Sequence, residues 1–326
     1  NFFFFFTLTK KIIFCFFTLN VLFSYGQQYP WWTQYKSNQI LANPAYCGTK
    51  RVLDLRINYR NQWTGFEGAP KTYVLSVNSR LLKGKLGLGA FMFKDDIGPF
   101  KTINSSITFA YHLKFPDSEL SFGFQGNYLK QRFNGNDVTL RNQQDKAVNL
   151  SMEDQAANFD GSFGLLYYND RFSLGVGANN VIGSGIQHYK NDTIKDATYK
   201  LVPHYNFSAG YNWGDNPDFV FENSLYAAFV PGMPISFDYT LRLHMKKQLM
   251  AGVSFRFSDA IALQLGYTLK DMVQIAYSYD VVTSPLRKYQ SGTHEISLIF
   301  SSNLGTDVKK RGFNGRFLKQ RFQYLL

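Results

Sequence analysis

Beyond its first 26 residues the 326-residue chain has no run approaching the roughly 20 apolar residues that a membrane-spanning helix needs, although 45% of it is hydrophobic. Cysteine is scarce as well. Of the two present, Cys15 falls in an N-terminal leader and Cys47 is left alone, which excludes an internal disulfide in the mature chain. A buried, inert thiol is the expectation for Cys47, with a bridge to another chain as the alternative. The five histidines, His112, His188, His204, His244 and His294, are scattered, and none forms the His-x-x-x-His or Glu-x-x-His spacing that sets two metal ligands on one helix face. There is no Gly-x-Ser-x-Gly nucleophile elbow, and Gly84-Lys85-Leu86-Gly87-Leu88-Gly89 reads as a turn entering a strand rather than a phosphate cradle. Asn134-Gly135-Asn136-Asp137 and Gly214-Asp215-Asn216-Pro217-Asp218 lack the spacing of a 12-residue calcium loop and read as turns. These absences give no catalytic, cofactor or metal site to expect, and no nucleic-acid motif. The remaining enzymatic reading is a hydrolase assembled from dispersed inner-face residues, Ser254, Ser278 and His294, and it has no local signature behind it.

What the sequence has in quantity is aromatic residues, 17% of the chain with 32 Phe and 21 Tyr, set in a period-2 alternation. In 121–129, Phe122, Phe124 and Tyr128 fall on one face, while Ser121, Gly123, Gln125 and Asn127 fall on the other. Ile261, Leu263, Leu265, Tyr267 and Leu269 alternate with Ala262, Gln264, Gly266, Thr268 and Lys270 in the same way. The pattern predicts strands at 52–60, 71–80, 86–94, 101–112, 119–132, 160–169, 171–179, 203–213, 218–230, 234–246, 248–257, 260–269, 272–280 and 293–301. Fourteen strands enclose a lumen too wide for side chains to fill, so the oily face meets lipid. The fold class is all-β: a transmembrane antiparallel up-and-down β-barrel in the outer membrane of a Gram-negative bacterium, with aromatics suited to the interfaces. Connection lengths agree, because every long one (61–70, 134–159, 180–202 and 281–292) falls on the same side, and short turns fall on the other. A soluble sandwich or propeller gives no reason for that asymmetry.

The ends divide the chain further. Lys10 and Lys11 precede the apolar run 12–23 and then Ser24-Tyr25-Gly26, so residues 1–26 read as a secretory signal cleaved before Gln27. Residues 27–51 are rich in Trp, Tyr, Pro and Asn. They are read either as a plug folded into the lumen, where Gly, Ser, Gln and Arg256 leave room and hydrogen-bond partners, or as a periplasmic docking strip. The barrel occupies 52–301. Without Lys10 and Lys11 of the leader the formal net charge of +12 falls to +10, and half of it sits in the tail, 302–326, where Lys309, Lys310, Arg311, Arg316, Lys319 and Arg321 face Asp307 alone. That basic periplasmic tail is either solvated or attached to an acidic partner or lipid head groups.

Two motifs take the reading past a generic barrel. One is Thr33-Gln34-Tyr35 followed by Leu41-Ala42-Asn43-Pro44-Ala45-Tyr46-Cys47-Gly48. The other is Tyr59-Arg60-Asn61-Gln62-Trp63-Thr64-Gly65-Phe66-Glu67-Gly68-Ala69-Pro70. In order and spacing they resemble the N-terminal signature of the PorP/SprF family of type IX secretion system outer-membrane proteins. Lys94-Asp95-Asp96-Ile97-Gly98-Pro99 and Ser291-Gly292-Thr293-His294-Glu295-Ile296 resemble that family's second loop and final strand. Cys47 stands where the family usually carries a small residue such as Ala, and the basic tail is longer than the resemblance leads one to expect.

The resemblance implies a barrel similar in architecture to long-chain fatty acid transporters (FadL-like). It also implies a non-enzymatic role in type IX protein secretion, with gliding motility among the processes served. The partners it implies are outer-membrane lipid, a secreted surface protein such as a gliding adhesin held through its C-terminal domain, and components of a periplasmic lipoprotein ring. The candidate partner-binding residues are those of the two motifs: Gln34, Tyr35, Asn43, Pro44, Tyr46, Gly48, Tyr59, Arg60, Gln62, Trp63, Gly65, Phe66, Gly68, Ala69 and Pro70. On their own chemistry, Arg60, Gln62 and Trp63 are expected to leave the first strand into an outer loop. Its Gly65, Gly68 and Pro70 fix a tight path that presents Trp63 and Phe66 as anchors or packs them on the rim. The rival reading is a channel or transporter for hydrophobic or small solutes, its path lined by Arg56, Arg171, Gln264 and Arg256.

Overall fold

The computed structural model describes residues 32–81, 84–138, 153–187, 198–214, 216, 218–246, 248–270 and 272–302. The expected leader, the first residues after it and the basic tail lie outside the described residues. The strands are β1 (Leu53–Asn61), β2 (Lys71–Leu81), β3 (Leu86–Ile97), β4 (Phe100–Lys114), β5 (Glu119–Asn134), β6 (Glu153–Tyr168) and β7 (Phe172–Asn179). They continue with β8 (Gly185–Gln187), β9 (Thr198–Lys200), β10 (His204–Trp213), β11 (Phe219–Phe229), β12 (Ser236–Met245), β13 (Leu249–Arg256), β14 (Ala260–Leu269), β15 (Val273–Val282) and β16 (Thr293–Ser302). Fourteen of them close an antiparallel barrel in sequence order; β7 pairs with β10 and β16 returns to β1.

Burial is inverted relative to a water-soluble protein. Inward positions are polar and buried, such as Asp54, Arg56, Asn58 and Arg60 on β1 or Ser76, Asn78 and Arg80 on β2. Outward positions are large, apolar and exposed, such as Ile107 and Phe109 on β4, Leu263 and Leu265 on β14, and Ile275 on β15. Only lipid satisfies that sorting, and only a closed barrel satisfies every backbone hydrogen bond within it. Cross-strand aromatic pairs mark both edges of the apolar band: Tyr59 with Tyr73 and Tyr128 with Phe159 at one, Trp213 with Phe221 at the other. The long connections after β1, β5, β7 and β15 place the outer face of the membrane at that end of the barrel. The connections after β2, β4, β6, β10, β12 and β14 are short periplasmic turns.

Several details differ from the sequence reading. β3, β5 and β6 run on past the apolar band, β6 beginning at Glu153 inside the expected 134–159 loop. Beyond the band the alternation is polar on both faces and carries no period-2 hydrophobic signal. The connection between β7 and β10 contains the β8–β9 hairpin. Arg171 sits exposed in the Asn169–Phe172 turn, where Asn169 Oδ1 accepts its N–H at 2.9 Å, and does not line the lumen. His294 is on the outer face. It is in phase with Ile296 and Leu298, and its Nδ1 lies 2.7 Å from the Tyr277 hydroxyl. Ser254, Ser278 and His294 therefore share no site.

Candidate functional site

The segment before β1 lies inside the barrel, folded as three short 3-10 turns, Tyr35–Ser37, Gln39–Leu41 and Pro44–Tyr46. The Asn43-Pro44-Ala45-Tyr46 motif accounts for one of them. Pro44 supplies a first helical residue that has no N–H to lose, and Asn43 Oδ1 caps the turn by accepting the Ala45 N–H at 2.9 Å. The same Asn43 donates Nδ2 to Leu165 O at 3.2 Å and Val176 O at 3.0 Å, binding the plug to β6 and β7. Tyr46 reaches Ser208 on β10 at 3.0 Å. Ala42 O accepts Asn179 Nδ2 at 2.9 Å and Asn206 Nδ2 at 2.8 Å. Gly48, at φ 75°, lies so close to Gly87 and Ser79 that a Cβ would stand 2.8 Å from Gly87 Cα.

The opposing wall is cut to fit. Side chains at Gly87, Gly123 or Gly164 would collide with plug atoms: Cys47 O at 2.1 Å, Ala45 N at 2.1 Å and Asn43 Oδ1 at 1.9 Å respectively. Three inward glycines on β3, β5 and β6 thus form a groove for Asn43–Cys47. Cys47 is fully buried there, and burial pushes its thiol up to about 12. A membrane-impermeant maleimide is expected to label Cys47 at least about 100-fold more slowly in the folded protein than in the unfolded chain. Prompt labelling of the folded barrel would mean that the plug is not seated.

The outer end of the plug is fastened by charge. Arg60, near the end of β1, points into the lumen, not into the loop as its position beside Asn61 leads one to expect. Its guanidinium donates to Glu295 Oε2 at 2.9 Å and Asp280 Oδ2 at 3.0 Å. Thr33 completes the cluster. Its N–H donates to Glu295 Oε2 at 3.0 Å, its hydroxyl donates to Asp280 Oδ2 at 2.6 Å, and the same oxygen accepts from Arg60 at 2.7 Å and Arg256 at 3.0 Å. Gln34 adds Nε2 to Glu295 O at 3.3 Å, and Tyr35 packs on Tyr226 with ring centroids 4.7 Å apart. Lower in the lumen, Lys36 faces Glu222 at 3.5 Å. At the periplasmic end Arg51 and Arg80 both pair with Glu119, to which Tyr168 donates at 2.6 Å.

Thr33-Gln34-Tyr35, Arg60 and Glu295, three separated stretches that the motifs single out, therefore meet at one latch with Asp280 and Arg256. The rest of the second motif forms a loop tied to its neighbours. Trp63 N–H donates to Thr293 Oγ1 at 3.1 Å, Thr64 N–H to Gly292 O at 2.8 Å, and Gly98 N–H to Gly68 O at 2.9 Å. Trp63 is left-handed at φ 50°, costing about 1–2 kcal/mol, which the bonds on either side offset. Gly65 and Gly68 carry φ of 90° and 72°, while Gln62 N–H donates to Pro70 O at 3.0 Å and Ala69 N–H to Phe66 O at 3.2 Å.

Of the sequence candidates, Gln34, Tyr35, Asn43, Pro44, Tyr46, Gly48 and Arg60 are buried inside and hold the plug, whereas Tyr59 faces lipid beside Tyr73. Those that reach the outer surface are Gln62, Trp63, Gly65, Phe66, Gly68, Ala69 and Pro70, with Phe66 46% exposed. Trp63 and Gln62 line a cavity of about 260 Å³ at the outer mouth together with Trp32, Leu41, Tyr226 and Phe257. The sequence reading missed this cavity and the latch residue Asp280. Arg60, Arg256, Asp280 and Glu295 nevertheless share the inward phase at neighbouring outer strand ends, and that phase is the signal that locates them. Arg56, Gln264 and Arg256 do face the lumen, each satisfied there: Arg56 by Asp54, Gln264 by Arg242 at 2.8 Å, and Arg256 by Asp259 at 2.9 Å. Among the described residues no group of three His, Cys, Asp or Glu is placed to hold a metal.

Solved structures with this architecture include the CymD monoaromatic hydrocarbon channel, with a TM-score of 0.50 at 11% identity over 82% of this chain and 92% of that one. The Ralstonia pickettii toluene transporter TbuX gives 0.50 at 10% identity over 81% and 92%. A Pseudomonas aeruginosa FadL homologue gives 0.47 at 11% identity over 80% and 92%. At such identities the likeness concerns the fold alone, a closed antiparallel β-barrel. None of the curated proteins compared with the chain matches it. The family model described as type IX secretion system membrane protein PorP/SprF matches residues 24–300, from before the plug into β16. The stretches that build the latch and groove all lie within that match, and the chain belongs to the PorP/SprF family of type IX secretion system membrane proteins.

Proposed function

We propose that this barrel is a non-enzymatic component of the type IX secretion system that works by binding protein partners, supporting secretion or surface attachment of cargo. The observation that carries this reading is the plug. A lumen crossed by its own chain, seated in a glycine groove and latched by paired buried charges, is a poor solute path and a rigid platform. Among the described parts of the two motifs, the surface left for partners is the loop that presents Trp63 and Phe66 beside the outer mouth, a tethered aromatic pair of the kind that anchors interfaces. The cargo in this reading is a secreted surface protein such as a gliding adhesin, held through its C-terminal domain. Components of a periplasmic lipoprotein ring are the second class of partner, met from the opposite end.

Replacing Trp63 and Phe66 together with Ala is expected to leave barrel assembly at normal levels and lower cargo display at the cell surface at least tenfold, since a buried aromatic anchor contributes about 2 kcal/mol or more to an interface. Surface proteolysis followed by mass spectrometry measures display. Undiminished display with an assembled variant barrel would sink the loop as the partner site.

A further inference from the structure

Among the described side chains, the lipid-facing surface carries its charge in one place. Lys71 on β2, Lys94 on β3, Lys101 on β4, and Lys130 and Arg132 on β5 all have the outward phase, at the outer ends of four adjacent strands. Among the described side chains of these four strands, the one outward carboxylate is Asp96, bridged to Lys94 at 2.6 Å. Among the described side chains of the other barrel strands, the outward positions hold no Lys, Arg, Asp or Glu. On β12, β14 and β15, for example, they are Phe, Tyr, Leu, Met, Ile and Val throughout.

Register places these groups in two adjoining rows. Lys71 pairs with Asp96, Asp96 with Lys101 and Lys101 with Arg132; one step nearer the membrane, Tyr73 pairs with Lys94, Lys94 with Ile103 and Ile103 with Lys130. Strands lie about 4.8 Å apart, so the cluster is about 15 Å wide. Below it the outward face of β4 is Ile103, Ser105, Ile107, Phe109, Tyr111 and Leu113, about 25 Å of mainly apolar band at the usual strand tilt. The cations therefore stand at the level of the outer head groups. Ordinary interfacial lysines snorkel singly, and would be distributed around a barrel. Here Lys101 and Arg132 are direct cross-strand neighbours of like charge, an arrangement that does not favour the sheet itself.

We propose that the outer ends of β2–β5 form a binding site for a phosphorylated glycolipid of the outer leaflet. Lys71, Lys101, Lys130 and Arg132 bind its phosphates, and its acyl chains lie along Leu75, Met92 and Ile107. Charge-assisted bonds to phosphate are the strong class of polar contact, and each cation near an anionic head group adds to them. The site faces away from the lumen and includes no residue of the neighbouring Trp63 loop, so it stands whether or not the partner-binding reading does.

The test titrates the detergent-solubilised full-length protein with diphosphoryl lipid A and reads bound lipid by native mass spectrometry. Heat-modifiable migration controls for folding. Wild type is expected to bind at least about tenfold more tightly than the Lys71→Gln, Lys101→Gln, Lys130→Gln, Arg132→Gln variant, and to bind dephosphorylated lipid A weakly. Asp96→Asn, which removes the carboxylate bridged to Lys94, is expected to bind about two- to fivefold more tightly than wild type, and decides the matter should the fourfold variant fail to assemble. Equal binding by wild type and the fourfold variant, equal binding of dephosphorylated lipid A, or an unchanged affinity in Asp96→Asn would overturn the proposal.

Discussion

Arg60→Ala is expected to destabilise the folded barrel by about 3–5 kcal/mol, because it strands two carboxylates in the lumen wall. Asp280 and Glu295 are each about 1% exposed, and Arg60 bridges both while also donating to the Thr33 hydroxyl. A buried ion pair is weak evidence for net stability, since desolvation offsets most of its attraction. Removing one partner leaves that desolvation uncompensated. The loss is read as a lower midpoint for heat-modifiable migration in detergent. Arg171→Ala in the exposed periplasmic turn is the comparison, expected within about 0.5 kcal/mol of wild type. Equal midpoints for the two variants would mean that the latch contributes nothing to holding the barrel and plug together.

Gly123→Val carries the second large effect, and it acts on the plug rather than on the wall. A Cβ at residue 123 would lie 2.1 Å from Ala45 N and 2.2 Å from Pro44 C. Both are backbone atoms, so no rotamer relieves the clash and the plug must leave its groove. Valine suits the strand itself, where Gly123 pairs with Ala110 and Gly164 and the ladders do not depend on the plug. The barrel is therefore expected to assemble, to expose Cys47 to maleimide, and to raise planar-bilayer conductance at least about tenfold over wild type, because fourteen strands enclose a lumen wider than side chains alone fill. A variant that assembles while Cys47 stays protected and the bilayer stays silent would show that the groove does not seat the plug.

The parts of this molecule that are legible from sequence are those where lipid dictates both faces. β14 and β15 run almost wholly within the apolar band, so alternation alone locates them to a residue or two. β6 is legible only from about Asp160. Its first turns extend into the external solvent, where neither face has to be oily. Arg171 and Arg60 show the limit at strand ends. A shift of one residue decides whether Arg171 begins a wall strand or closes a turn, and whether Arg60 points into the lumen or out with the loop. His294 shows the same limit. Phase in β16 is fixed by Thr293 and Glu295, whose partners Trp63, Arg60 and Thr33 lie more than 200 residues away. The plug motif was visible as a motif, but not its purpose. Nothing near Asn43 in sequence announces that its amide will span β6 and β7, or that three glycines on other strands leave room for it.

The most direct test of a partner-binding barrel is affinity purification of the tagged protein from mild-detergent outer membranes after cross-linking in cells, with mass spectrometry against an equally abundant unrelated barrel. Specific recovery of a large secreted surface protein's C-terminal region, or of periplasmic lipoproteins of the secretion machine, is the expected result. Recovery of the barrel alone, together with a solute-dependent current through the wild-type protein, would contradict it and make this a channel.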